Sequence, residues 1–224
     1  MSLFHPWSKP APPWVVLIGP HGCGKSSVLR ELERVCSGPW LAGVRVFYRH
    51  PVNITDIKRY DGTVIAHYSS TPRGSVVSVA KLGLRALEWW LGYWGRIIFL
   101  RASGYLVIFD RHYLLDLMVD PQRYRYGGPL GLVRALARIM PKPDLVIILD
   151  APVEVLFARK QEAPREQLAR LREAYVHLAG ELPNGHVVNA AAPLEQVVAD
   201  VERIILDYVA ARSANQLELN EHKR

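Results

Sequence analysis

The sequence predicts an α/β domain whose parallel sheet of five strands is covered by helices on both faces. Three observations carry this. Five short apolar runs alternate with segments of helical periodicity, as buried parallel strands and their crossovers do. The first run ends in a glycine-rich loop that opens a helix, "GPHGCGKSS" (Gly19–Ser27). The later helices carry one-sided apolar stripes, which are packing faces for a sheet. The chain has 224 residues, 50% hydrophobic and 22% charged, enough for one globular domain with a real core.

In chain order, Pro6, Pro10, Pro12 and Pro13 make residues 1–13 an extended lead-in. "WVVLIG" (Trp14–Gly19) is a strand feeding the loop, and "KSSVLRELERVC" is a helix with Val28, Leu32 and Val35 on one face. "GVRVFY" (Gly43–Tyr48) is the second strand. Residues Arg49 to Ser75 are rich in Pro, Gly, Asp and Thr and read as a long loop of the kind that is usually functional or mobile. A long helical segment follows from Val76 to Arg101, weakened by Gly83, Gly92 and Gly95. "YLVIFD" (Tyr105–Asp110), "DLVIILD" (Asp144–Asp150) and "HVVNA" (His186–Ala190) are the remaining strands. Leu168, Leu171, Tyr175, Leu178 and Leu182 mark one late helix, and Leu194 through Tyr208 another. The domain spans 14–210, and residues 211–224 lack a stripe and read as a frayed tail.

The loop carries the chemistry. Gly19, Gly24, Lys25 and Ser26 fill every fixed position of G-x-x-x-x-G-K-[ST], with Pro20, His21, Gly22 and Cys23 between them and Ser27 after. Glycines let backbone N–H groups turn toward phosphates, and the helix N-terminus adds partial positive charge. Lys25 is the contact for the β- and γ-phosphates, and the Ser26 hydroxyl is a ligand for Mg²⁺. The pattern therefore predicts binding of ATP or GTP and the three-layer P-loop NTPase fold. A carboxylate is expected near the metal, and Asp110, at the end of an apolar strand and followed by Arg111, supplies it. Asp150 also ends a strand, but Pro152 behind it makes Asp150 a helix cap.

Bulk properties exclude other classes. Lys and Arg outnumber Asp and Glu by 28 to 21, for a net charge of +7. Anionic partners fit that balance, although a compositional bias toward arginine gives the same count. No run of five like charges occurs, so a nucleic-acid tail is not indicated. Cys23 and Cys36 form neither a disulfide framework nor a zinc spacing, which suits reduced thiols and a cytoplasmic protein. The N-terminus lacks signal-peptide character, and the most apolar region, Leu84–Phe109, is broken by four charges, so no membrane role is expected.

"GPHGCGKSS", "FDRH", "KPDLVIILDAPVEVLFAR" and "NAAAPLEQVV" occur in the order and spacing of thymidylate kinases, which the chain resembles from Trp14 to about Tyr208. The resemblance implies ATP as donor with Mg²⁺, a lid over the phosphates, and a phosphorylated small-molecule acceptor, a nucleoside monophosphate such as dTMP. It casts Asp110 as the carboxylate near metal and acceptor, Arg111 as the grip on the acceptor phosphate, and Arg49 as a further phosphate contact. Arg159 and Lys160, with Arg165 assisting, fall in the lid region, where they neutralise transferring charge or simply cap a solvated helix end. Asn189 and Ala190 stand where relatives lie against adenine. Relatives are often dimers, so a homodimer is among the implied partners.

Two departures fall on the acceptor side. Relatives usually carry Asp or Glu where this chain has His21, facing the sugar of the acceptor. The long helix usually offers an arginine where this chain reads "LEWWLGYW". Trp90, Tyr93 and Trp94 share a helical face, either as a core stripe or as an aromatic wall for a ring. These departures predict weak use of dTMP. "PQRYRYGGP" (Pro121–Pro129) lies near a second substrate loop, where Arg125 and Tyr126, with Arg123 and Tyr124, suit an anionic ring-bearing ligand or form a surface turn. His112 is a weaker candidate for orienting substrate. Two other readings stay open: a kinase for a sugar, glycan end or other metabolite, and a nucleotide-binding regulator without turnover.

Overall fold

The structure, a computed structural model, describes residues 11–36, 41–48, 51 and 71–221. Five parallel strands are ordered β2-β3-β1-β4-β5. They are β1 (Trp14–Ile18), β2 (Gly43–Tyr48), β3 (Tyr105–Asp110), β4 (Leu145–Asp150) and β5 (Gly185–Asn189). The expected α/β architecture and all five strands are thus present. The central strand is "WVVLI", and all five of its residues are buried because both of its faces are covered.

Its alternation divides the core in two. Val15 and Leu17 face α1 (Lys25–Val35), α6 (Val153–Arg159) and α8 (Leu194–Glu221), packing with Val28, Leu32, Leu156, Val201 and Ile205. Trp14, Val16 and Ile18 face the other way. They meet α2 (Ser75–Gly92), α4 (Tyr113–Val119), α5 (Leu130–Ile139) and α7 (Arg165–Glu181), packing with Leu82, Trp89, Leu117, Val133 and Tyr175. A strand with period two and helices with period 3.6 meet only if each helix keeps one apolar stripe, which these do.

Three details differ from the sequence reading. In α1 the buried stripe is Val28, Leu29 and Leu32, and Val35 is exposed. The segment after α2 passes through a π-helical turn, Tyr93–Ile97, into a short α3, Ile98–Ala102. Its buried line runs through Leu82, Ala86, Trp89 and Ile97, so Trp90 and Trp94 point outward with Leu84, Leu87 and Leu91. The reading of Trp90, Tyr93 and Trp94 as a core stripe is therefore corrected for the two tryptophans, while Tyr93 does pack against the core beside Trp14: neighbouring residues on a helix are 100° apart, and Trp89 is the tryptophan turned inward. Finally, α8 continues past Ala210 to Glu221, through the residues expected to fray.

Parallel strands end together at one edge of the sheet. Leu17 and Tyr48 are both in register with Asp110. The loop after β1, the end of β2 and the end of β3 therefore lie side by side, where strand order reverses about β1. In open α/β sheets that edge is where ligands bind.

Candidate active site

The loop between β1 and α1 turns on three glycines with positive φ: Gly19 (146°), Gly22 (80°) and Gly24 (89°). Two of them are also pressed against backbone. A Cβ on Gly19 would stand 2.5 Å from the Leu149 carbonyl oxygen, and one on Gly22 would run into that of Leu156. The loop is thus clamped between β4 and α6, and Gly24 in left-handed conformation starts α1 without a side-chain cap. Its N-terminal amides are left for a ligand.

Lys25 is buried and folds back over the loop. Its Nζ donates to the carbonyls of Gly19 (2.9 Å) and Pro20 (3.0 Å) and to Cys23 Sγ (3.2 Å). Burial pushes its pKa below the ordinary lysine value. Gly19, Pro20 and Cys23 therefore form the back of the loop. Its open side, with His21, Gly22, Gly24, Lys25, Ser26 and Ser27, lines a cavity of about 480 Å³. Asp110, Arg111 and Arg159 line the same cavity, so the open side of the loop, the strand-end pair and a lid cation chosen from the sequence converge.

Asp110 ends β3 with its carboxylate buried, and Oδ1 has no hydrogen-bond partner among the described residues. Arg111 follows at φ 78°, a left-handed backbone uncommon for a side-chain-bearing residue. Its N–H donates to the Leu17 carbonyl (3.0 Å), which ties that turn to β1. The buried guanidinium faces Asp116 on α4, with Nη1 3.6 Å from Oδ2. Asp116 has no solvent exposure and accepts from Tyr175 Oη (2.7 Å) and Tyr124 Oη (3.4 Å). Burial raises its pKa, but Arg111, Arg123 and the Tyr175 hydroxyl outweigh burial and hold it below the usual carboxylate range. For Arg111 burial opposes the charge, and Asp116, Tyr175, Tyr124 and Asp110 together more than offset it, so both groups stay ionised.

His21 is clamped on both sides. Nδ1 lies 2.5 Å from Glu162 Oε2, and Nε2 lies 3.1 Å from Arg123 Nη1. Burial first, then Arg123, Arg111 and Lys25, pushes its pKa down to about 2. The ring is neutral; Nε2 accepts from Arg123, and Nδ1–H donates to Glu162. Glu162 also pairs with Lys160. His21 thus links the glycine-rich loop to two segments the chain brings from elsewhere.

Several sequence candidates lie away from the cavity. Arg125 Nε donates to the Thr71 carbonyl (3.1 Å). Tyr126 is buried, its hydroxyl bonded to the Pro129 carbonyl (3.2 Å). Both are corrected as cavity residues: a tight turn at Arg125 (φ 50°) sends them behind, and Arg123 is the residue of that loop facing the site. Trp90 is about half exposed, on the outer side of α2, and does not line the cavity. Arg49 lies outside the described residues, directly after Tyr48, which does line it. Asn189 ends β5 and Ala190 follows it; Arg159 Nη1 donates to the Ala190 carbonyl (2.8 Å), which joins that segment to the site. Arg165 stacks over Phe157 instead of entering.

Asp150 is not a cap. Its carboxylate takes a forked pair from Arg172 on α7 (2.8 and 3.0 Å), while α6 starts at Pro152 without a side-chain cap. His112 is a cap: its Nδ1 accepts from Leu115 N–H (3.4 Å), and its ring packs 4.4 Å from Trp89.

Asp116 and Glu162 are the residues sequence reasoning did not select, and Arg123 was named only as one of the four residues of its loop. Asp116 left a signal, a lone charge inside the apolar "YLLDLMV".

Fold and cavity together define the class: a mononucleotide-binding α/β domain of the P-loop type. No family model matches the chain. It is similar in sequence to proteins named thymidylate kinase, in one case over nine-tenths of its length, and similar in fold to a solved one. It is 34% identical over 110 residues to the probable thymidylate kinase 1 of Saccharolobus solfataricus, covering 45% of this chain and 54% of that protein. It is 32% identical over 115 residues to the probable thymidylate kinase of Archaeoglobus fulgidus, covering 48% and 56%. These two matches span about half the length of each relative. Similarity to the thymidylate kinase of Xanthomonas oryzae pv. oryzae is 29% over 217 residues, covering 91% and 87%. Among solved structures, a thymidylate kinase from Candida albicans superposes with a TM-score of 0.58 at 18% identity, covering 88% of this chain and 92% of that one. That likeness concerns the fold. No helix among the described residues is long and apolar enough to cross a membrane.

Proposed function

We propose that the protein transfers the γ-phosphoryl group of ATP to a nucleoside monophosphate, with dTMP as the first acceptor to test. The observation that carries this reading is the convergence of Lys25, Arg111, Arg123, Arg159 and Lys160 on one P-loop cavity that also holds the buried Asp110 carboxylate. Five cations on one small cavity suit two phosphorylated ligands brought end to end. The relatives' name, thymidylate kinase, agrees with it.

The residues divide by position. The amides after Gly22 and Gly24 cradle the donor phosphates, and Lys25 turns from the loop carbonyls to meet them. Asn189 and Ala190 border the adenine. Arg111, fixed by Asp116, holds the acceptor phosphate, and Arg159 and Lys160 sit where charge develops on the transferring group. Catalysis of this kind is mostly positioning and electrostatics. The partnerless Oδ1 of Asp110 and the Ser26 hydroxyl on the same cavity fit Mg²⁺, which needs few protein ligands when phosphates complete its shell. When bound, Mg²⁺ supplies charge neutralisation on the β- and γ-phosphate oxygens.

The weak use of dTMP expected from the sequence rests on a missing carboxylate and a missing arginine. Glu162, bonded to His21, returns a carboxylate to the cavity beside the position where relatives carry theirs. His21 is a coupling element in this reading, and Glu162 is the acceptor for a sugar hydroxyl. A single-turnover assay with labelled ATP and a panel of nucleoside monophosphates, sugars and sugar phosphates tests the proposal. Transfer to no nucleoside monophosphate would overturn it. The homodimer implied by the resemblance is a separate expectation, and sedimentation of the purified chain tests it.

A further inference from the structure

A second chamber, of about 750 Å³, lies between α4, α5 and α7 and shares no residue with the phosphate cavity. Leu114, Met118, Met140, Leu178 and Leu182 form its apolar wall. Methionines adapt to ligands of irregular shape. Arg134, Arg138 and Lys142 stand on its rim, exposed and without an ion-pair partner among the described residues. The acidic groups that also line it are engaged elsewhere. Asp144 accepts from the Trp14 N–H and Tyr208 Oη and pairs with Arg101 and Arg212. Glu181 pairs with His177 (3.5 Å).

His112 forms part of the same wall and of a narrow side cleft that shares Leu114, Met140 and Pro141 with the chamber. The residue is only 4% exposed. Its Nδ1 is taken by the Leu115 N–H, so the ring proton sits on Nε2. That donor has no acceptor among the described residues. Its Nε2 is not sealed from solvent, so a water or an acceptor on a ligand in the chamber can take its proton. Apolar walls, a few convergent polar groups and this volume are the features of small-molecule sites.

We propose that this chamber binds an amphipathic anion. Its apolar or aromatic body lies against the methionines and leucines, its anionic group meets Arg134, Arg138 and Lys142, and a hydrogen-bond acceptor on it takes the His112 Nε2–H. The site does not depend on the nucleotide reading, because it uses none of the residues of the phosphate cavity.

The probe is 8-anilinonaphthalene-1-sulfonate, an aromatic anion whose fluorescence rises on burial. The expected result is saturable binding at one site per chain, retained at saturating ATP, with a shift of the His112 ring nitrogen resonances. Arg138→Glu/Lys142→Glu, at exposed positions, is expected to weaken binding at least tenfold, whereas the uncharged N-phenyl-1-naphthylamine changes less than twofold. Ala137→Trp, which fills the chamber, is expected to abolish both. Leu87→Ser/Leu91→Ser, on the outer face of α2, is expected to leave both intact. Absence of saturable binding, displacement by ATP, loss in the α2 variant, or indifference to the charge reversals would each overturn the proposal.

Discussion

Replacing Asp116 with Asn is expected to lower folding stability by about 3 kcal/mol. Asp116 is fully buried, and its two oxygens serve Tyr175, Tyr124 and Arg111. The amide can still accept from Tyr175, so that hydrogen bond survives in neutral form. What disappears is the anion facing a guanidinium that is itself only 5% exposed and cannot shed its proton. Removing one partner of a buried pair costs about 3–5 kcal/mol, and Asp110, which also acts on Arg111, keeps the figure at the low end. In a domain of this size that is roughly 6–12 °C in Tm, from about 2–4 °C per kcal/mol. The pH dependence has a definite sign. The folded pKa of Asp116 is depressed, so its contribution is complete above the unfolded value near 3.9 and is lost as pH falls through the folded value. The gap between wild type and variant is therefore flat from neutral pH to about 4 and closes below it. Urea denaturation followed by tryptophan fluorescence at a series of pH values reads both. A loss under about 1 kcal/mol at pH 7, or a gap that persists in acid, would refute the buried-pair account.

Lys25→Ala is expected to abolish phosphoryl transfer while the chain still unfolds cooperatively, since its Nζ bonds only loop groups; undiminished transfer would mean the active site lies elsewhere. Asp110→Asn is expected to cost roughly 10²-fold or more in kcat at little cost in stability. Asp150→Asn breaks a partly exposed pair with Arg172 and is expected to cost about 1 kcal/mol or less with turnover retained; the reverse pattern would exchange their roles. Glu162→Gln is expected to lower kcat/KM for the nucleoside monophosphate by about 10-fold, the worth of one charged hydrogen bond, and unchanged kinetics would remove Glu162 from the acceptor site. His21 and His112 are held neutral when folded, with pKa values of about 2 and about 4. Unfolding takes up protons at both below pH about 6.5, so stability is expected to fall as pH drops from 6.5 toward 4, and a flat Tm over that range would contradict their burial as neutral rings.

The sheet and the phosphate loop were legible because each leaves a local mark: continuous apolar strands, and glycines at positions where only glycine fits. Asp110 and Arg111 were legible from their place at a strand end. The acceptor side was not, because its geometry is set by turns and by elements far apart in the chain. Nothing in "RYRY" says that Arg123 turns inward while Arg125 and Tyr126 turn away; a positive φ at Arg125 decides it. Trp89 and Trp90 are chemically identical neighbours, and one helical step separates core from solvent. Glu162 reaches His21 across 141 residues of sequence, a distance over which no periodicity carries information.

Placing β1 at the middle of the sheet has a consequence for how the chain is made. "WVVLI" leaves the ribosome ahead of both its partners, β3 and β4, the second of which ends at Asp150. At about 5–20 residues per second the strand waits roughly 7–26 s before its second neighbour exists. Throughout that interval the strand that is buried on both faces in the finished molecule keeps at least one edge unpaired. Fusing the coding sequence to an arrest peptide at successive lengths would register the moment of closure. Pulling force is expected to appear only once β4 has cleared the exit tunnel, which makes the newborn chain, and not the mature one, the form most in need of a chaperone.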